Sequence, residues 1–175
     1  MRRAANIAIS AIALMGISAL LLTSASGCGG EPAPAMTVYY QVGQPAQTSR
    51  EVLTVMSASR TSQYKKGSFL ARLVTAFVTA PPGTVFIIVE VTVTNIGQDS
   101  FGISSKDFTL KDSEGHEYHS IGYSGADPYP SRKLAFSQGA SGYVAFNPLA
   151  IATGFEVSCV VQGSPPVLGV WQLPY

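Results

Sequence analysis

Between residues 84 and 95 every second position is apolar: Val85, Ile87, Val89, Val91 and Val93 share one face, and Phe86, Ile88, Glu90, Thr92 and Thr94 share the other. A period of two carried by β-branched side chains predicts a strand with one wholly apolar face. The second face starts apolar and turns polar, as in a sandwich strand that runs from a covered region into solvent. Asn95-Ile96-Gly97-Gln98-Asp99 then supplies turn chemistry, Phe108 and Leu110 alternate with Thr109 and Lys111, and Asp112-Ser113-Glu114-Gly115 closes a tight turn before Tyr118 resumes the alternation.

Shorter runs of the same kind occupy 38–42, 52–57, 69–78, 143–146, 155–161 and 167–173. Between them stand Pro45, Pro81-Pro82-Gly83, the glycine-rich 139–142, Pro148 and Gly163-Ser164-Pro165-Pro166. About eight strands punctuated in this way predict an all-β, two-sheet antiparallel sandwich. Residues 70–80, rich in alanine, and 149–153 are the two places where a helical turn competes with this reading.

The first residues follow a different pattern. Arg2 and Arg3 precede a 16-residue uncharged stretch, 7–22, after which Thr23 to Gly27 are small and polar. This order predicts a secretory signal over residues 1–27, since the apolar part is shorter than the roughly 20 residues of a membrane-spanning helix. Ala25-Ser26-Gly27-Cys28 resembles the lipobox of prokaryotic lipoproteins, which implies that Cys28 becomes an acylated first residue; Ala25 stands where that motif usually has leucine. Ordinary cleavage into a secreted form and an uncleaved helical anchor are the alternatives. Residues 28–36, with Pro32 and Pro34, then form a linker between lipid and domain, and residues 37–175 suffice for a single domain.

Without Arg2 and Arg3 the chain carries 9 Lys and Arg against 10 Asp and Glu, a net charge of −1. That balance offers no basic field for nucleic acid. With Cys28 lipidated, Cys159 has no intramolecular partner, and its register with Phe155 and Val157 predicts a small buried apolar residue.

The stretch from Phe86 to Asn95, then Ser104 to Asp107 leading into Phe108-Thr109-Leu110-Lys111-Asp112-Ser113-Glu114-Gly115 and Tyr118, resembles the DUF4352 domain of prokaryotic lipoproteins, as does the later Ser141-Gly142-Tyr143-Val144-Ala145-Phe146. The resemblance implies an immunoglobulin-like β-sandwich akin to the MPT63 fold and a place at the cell surface. It transfers no functional residue.

Motifs for chemistry are sparse. His116 and His119 lie three apart on a predicted strand and project to opposite faces, so they are not expected to hold a metal ion together. Asp112 to Gly115 offers too few oxygens for a calcium loop, and Gly122-Tyr123-Ser124-Gly125 misses the spacing of a hydrolase nucleophile turn. The expectation is therefore neither enzyme nor cofactor protein. The best candidate recognition loop is 121–133, where Tyr123, Asp127, Tyr129 and Arg132 are interleaved with Gly125, Pro128 and Pro130; alternatively its tyrosines cover the edge of the core. Trp171 alternates with Gly169 and Leu173 and is expected in the core. Two functions fit: a lipid-anchored module that binds a surface protein or envelope component, or an extracytoplasmic protein that binds a small ligand or ion.

Overall fold

The computed structural model describes residues 36–67 and 76–175. The expected signal segment, Cys28, nearly all of the expected linker and the first part of the ambiguous stretch 70–80 lie outside those residues.

One sheet has five strands in the order β1 (Met36–Gln41), β13 (Val167–Gln172), β12 (Glu156–Val161), β8 (Phe108–Lys111) and β9 (Glu117–His119). The other has four, in the order β11 (Gly139–Phe146), β6 (Phe86–Asn95), β3 (Glu51–Thr61) and β2 (Pro45–Gln47). Two further pairs complete the described strands: β10 (Arg132–Leu134) with β7 (Phe101–Ile103), and β4 (Gln63–Lys65) with β5 (Phe77–Thr79). Strand β1 joins β13 in parallel; the remaining ladders are antiparallel. The architecture is the expected immunoglobulin-like sandwich.

The alternation in β6 is realised as read. Ile87, Val89, Val91 and Val93 are buried between the sheets together with Leu53 and Val55 of β3, Val144 and Phe146 of β11, Phe108 and Leu110 of β8, and Val157 and Trp171 of the five-stranded sheet. The second face begins under cover, where Phe86 and Ile88 pack with Tyr64 of β4 and Ala145 in a separate cluster, and ends with Thr94 exposed. The β4–β5 pair thus shields the outer face of the four-stranded sheet.

Trp171 is fully buried; its ring stacks on Tyr40 at 5.3 Å and its Nε1–H donates to the Gln44 carbonyl at 3.0 Å. A Cβ on Gly169 would lie 2.7 Å from that ring, so the glycine makes room for it. Cys159 is buried in register with Phe155 and Val157, as expected.

Two local expectations fail. The glycine-rich 139–142 is not a turn: it opens β11, and the actual turn is 135–138, where Ser137 takes φ 63°. Glycine is needed at 142 because a Cβ would stand 2.7 Å from the Tyr129 backbone, which crosses β11 at that point. Residues 149–153 form no helix; Leu149 bridges Thr84 and the Ala152 amide closes a turn on the Leu149 carbonyl. Strands β2, β4, β7 and β10, three residues each, are too short to carry a readable periodicity.

Candidate functional site

The four residues of the candidate loop are placed in three environments. Tyr129 is buried in the main core, its ring edge-on to Phe108 at 5.4 Å. Tyr123 is half-buried over the second cluster, 4.8 Å from Tyr64 and 5.7 Å from Tyr143. Asp127 and Arg132 are exposed and line one open groove with Pro128 and Pro130, and the Arg132 guanidinium donates to the Gly139 carbonyl at 2.9 Å. The loop lies along β11 through two bonds with Tyr143: its amide donates to the Asp127 carbonyl at 2.9 Å, and its carbonyl accepts from the Tyr129 amide at 3.0 Å. Asp127 adopts φ 52° to make this crossing.

The hairpin turn after β8 is held by one carboxylate. Asp112 accepts from the Glu114 and His116 amides, each at 2.9 Å, from the Tyr118 hydroxyl at 2.9 Å, and faces His116 Nδ1 at 3.1 Å. Burial alone would raise this carboxyl, but these hydrogen bonds outweigh it and hold the group at about 2. His116 serves the turn and His119 sits on the last residue of β9, paired opposite Thr109. Among the described residues no three His, Cys, Asp or Glu side chains come together as a metal site.

A deeper feature lies at the end of the sandwich where Phe108 starts β8. There β12 continues past Cys159 to Val161 without a β8 partner, because the preceding chain departs in a 3-10 turn, Ser105–Asp107. Ser104 caps that turn: its hydroxyl accepts from the Lys106 amide, and its own amide donates to Asp107 Oδ2 at 2.7 Å. A cleft of about 210 Å³ opens in the gap, with Leu53, Phe101, Ile103 and Phe108 as its apolar wall.

Glu51, the first residue of β3, lines this cleft in register with the core residues Leu53 and Val55 and is only 3% exposed. Its Oε2 accepts from the Gln162 amide at 2.6 Å; Oε1 has no hydrogen bond among the described residues. Burial raises the carboxyl to about 7, an effect that Asp107 augments and the Gln162 amide opposes. The Tyr129 hydroxyl also has no hydrogen-bond partner among the described residues, and burial, with Cys159, Glu51 and Asp107 nearby, pushes it up. Burial likewise raises the Cys159 thiol well above its ordinary range, so it stays protonated and is a poor nucleophile.

The outer face of the five-stranded sheet presents different chemistry. Tyr39 of β1 pairs with Val170, and Val160 of β12 pairs with Leu168, so four apolar side chains form a stripe across three adjacent strands. Tyr39 is 62% and Val160 45% exposed with no described element over them, Leu168 is half-buried, and Val170 between them is buried. Thr37, Ser158, Gln41 and Gln172 flank the stripe, with Glu156 and Lys111 beyond.

The described residues thus form an all-β sandwich with a sheet face that no described element covers and a small acidic, aromatic-walled cleft. The chain belongs to the DUF4352 family, described as a domain of unknown function, whose profile matches residues 40–152. Solved structures with a similar fold include yjhA of Bacillus subtilis, at 14% identity over 77% of this chain and 99% of that one, with a TM-score of 0.57. Another is ycdA of Bacillus subtilis, described as a candidate lipoprotein, at 13% identity and a TM-score of 0.56; the match covers 77% of this chain but only 38% of ycdA. The secreted protein MPT63 of Mycobacterium tuberculosis matches at 14% identity over 79% of this chain and 98% of its own, with a TM-score of 0.51. No curated protein matches the chain in sequence. Among the described residues no helix is long and apolar enough to cross a membrane.

No motif marks Glu51, and Asp107, which stands in the family-like run leading into Phe108, is not among the residues that sequence reasoning selects for a site. One signal is present: Glu51 falls two and four residues before Leu53 and Val55, a carboxylate at a core-facing register. The Tyr39–Val160 stripe likewise escapes a reading by motif.

Proposed function

We propose that this chain is a lipid-anchored, extracytoplasmic binding module that docks a partner protein of the cell envelope through the outer face of its five-stranded sheet and catalyses no reaction. The observation that carries the proposal is the stripe of Tyr39, Leu168 and Val160 around the buried Val170, with Tyr39 and Val160 left open by the described elements while the opposite outer face is covered. An aromatic residue with aliphatic neighbours inside a hydroxyl and amide rim is the composition of a protein interface, in which a few buried anchors supply most of the affinity. On the same face Glu156 and Glu117 flank the single Lys111, a balance that offers no polybasic patch and disfavours an anionic lipid surface as its occupant.

The double variant Tyr39→Ala, Val160→Thr removes the apolar stripe and keeps a β-branched residue in β12. Its stability is expected to change by no more than about 1 kcal/mol. In cross-linking on intact cells, a partner recovered near equimolar with the wild type is expected to disappear with the variant. Equal recovery with both proteins refutes the docking face.

The anchor rests on the lipobox-like Ala25-Ser26-Gly27-Cys28. Each buried methylene of an acyl chain contributes about 0.8 kcal/mol, so two or more chains hold a protein durably on a bilayer. Cys28→Ser is expected to abolish incorporation of labelled fatty acid and to release the protein from the membrane fraction; unchanged labelling removes the anchor from the proposal.

A further inference from the structure

The cleft at the start of β8 combines features that the docking reading does not use. It contains the carboxylate of Glu51, a residue only 3% exposed, whose Oε2 is bonded to the Gln162 amide and whose Oε1 has no hydrogen bond among the described residues and is open to the cleft. A second carboxylate, Asp107, lines the same cleft, and no described lysine or arginine lines it. Phe101, Phe108 and Tyr129 supply three aromatic rings, and the Tyr129 hydroxyl, which has no hydrogen bond among the described residues, is open to the cleft. A buried carboxylate without a counter-charge is costly, and structures compensate such groups with a cation or keep them protonated.

We propose that this cleft binds a small alkylated or quaternary organic ammonium ion, with Glu51 as its counter-charge, Phe101, Phe108 and Tyr129 as its aromatic wall, and Asp107 at the mouth. The ring faces of aromatic residues attract cations that carry alkyl groups, and the attraction is larger where water is excluded. A metal ion fits the chemistry poorly: the described residues include no cluster of three or more ligating side chains, and Leu53, Phe101, Ile103 and Phe108 give the wall its hydrocarbon character. The volume of about 210 Å³ limits the ligand to a compact ion. The proposal does not rest on the docking reading, although Val160 belongs to both the outer stripe and the lining of the cleft; Glu51 and Tyr129, which the test substitutes, belong to the cleft alone.

Glu51 must be ionised to act as counter-charge. The groups that face it are Asp107 before β8, Tyr129 from the crossing loop, Cys159 on β12 and the Gln162 amide. Burial raises its carboxyl to about 7, so affinity for a permanently charged ammonium is expected to rise with pH through that region and level off above it.

The test is titration calorimetry of the full chain in detergent, with choline chloride as the cationic probe and 3,3-dimethylbutan-1-ol as its uncharged isostere. The expected result is saturable choline binding at pH 8, weaker binding at pH 6 and none for the alcohol. Glu51→Gln should weaken choline binding roughly ten- to hundredfold, the loss of one charge-assisted contact. Tyr129→Phe, which keeps the ring, should weaken it by less. No saturable choline binding, equal binding of the alcohol, or wild-type affinity in Glu51→Gln each overturns the proposal.

Discussion

Trp171→Ala should lower the free energy of unfolding by about 3–5 kcal/mol, the range for emptying a fully buried large aromatic site. Three features place the loss near the upper end. The side chain has no measurable exposure, its ring is fixed between Tyr40 and the space left by Gly169, and its Nε1–H satisfies the Gln44 carbonyl. Removing it opens a cavity where β1 and β13 meet the loop after β1, and leaves a part-buried carbonyl without its donor. A domain of this size has a total stability of about 5–15 kcal/mol, so the variant loses a large share of it. The chain has a single tryptophan, and the substitution deletes the fluorescence probe, so the check is urea unfolding followed by far-ultraviolet circular dichroism. The midpoint should fall with an unchanged slope; a change below about 1 kcal/mol would mean that Trp171 is not the packing centre of this sheet.

The placement of Trp171 in the core is legible because alternation with Gly169 and Leu173 fixes which face it shares. The same logic locates Cys159 and all of β6. It fails at β11, where glycine-rich sequence ordinarily marks a turn, yet Gly142 serves a close approach by the Tyr129 backbone from another part of the chain. Asn95 shows how much a turn residue conceals. Its sequence context marks only turn chemistry, but it is fully buried, and its side chain donates to the Asp99 and Leu134 carbonyls and accepts from the Gly97 amide. That clip joins β6 to the turn after it and to β10, two segments whose proximity no local pattern encodes.

The binding surfaces are less legible than the core for a related reason. Periodicity tells which residues share a face, but not whether another element covers it. The second face of β6 and the outer face of β12 both carry apolar residues, Ile88 in one and Val160 in the other; the β4–β5 pair covers the first and leaves the second open. Tyrosine is equally ambiguous, because it has an apolar body and a polar tip. In the 121–133 loop Tyr129 enters the core and Tyr123 the edge of the second cluster, while Asp127 and Arg132 stay in solvent. The buried carboxylate that shapes the cleft shows itself in sequence only through its register, since its environment is assembled from β3, β7, β12 and a crossing loop.

That carboxylate gives the second large effect. Burial favours the protonated form of Glu51 and lifts its carboxyl from 4.5 to about 7. Between those values the folded chain holds a proton that the unfolded chain has released, so stability falls as pH rises through the window and is constant above it. At about 1.4 kcal/mol per pH unit, the wild type should lose roughly 3 kcal/mol across this window through this group. Glu51→Gln removes the ionisation and keeps a side-chain oxygen that can accept from the Gln162 amide. The variant should therefore match the wild type at the acid end of the window and exceed its stability by roughly 3 kcal/mol at about pH 8. Urea midpoints for both proteins across that range check this directly. Parallel curves would show that Glu51 ionises freely in the folded chain, with the cleft open enough to hydrate it. Curves that converge only at low pH would show a charge held without compensation, which an organic cation could supply. Saturating choline should then stabilise the wild type at the alkaline end, where Glu51 is ionised, and leave it nearly unchanged at the acid end, where the carboxyl already carries its proton.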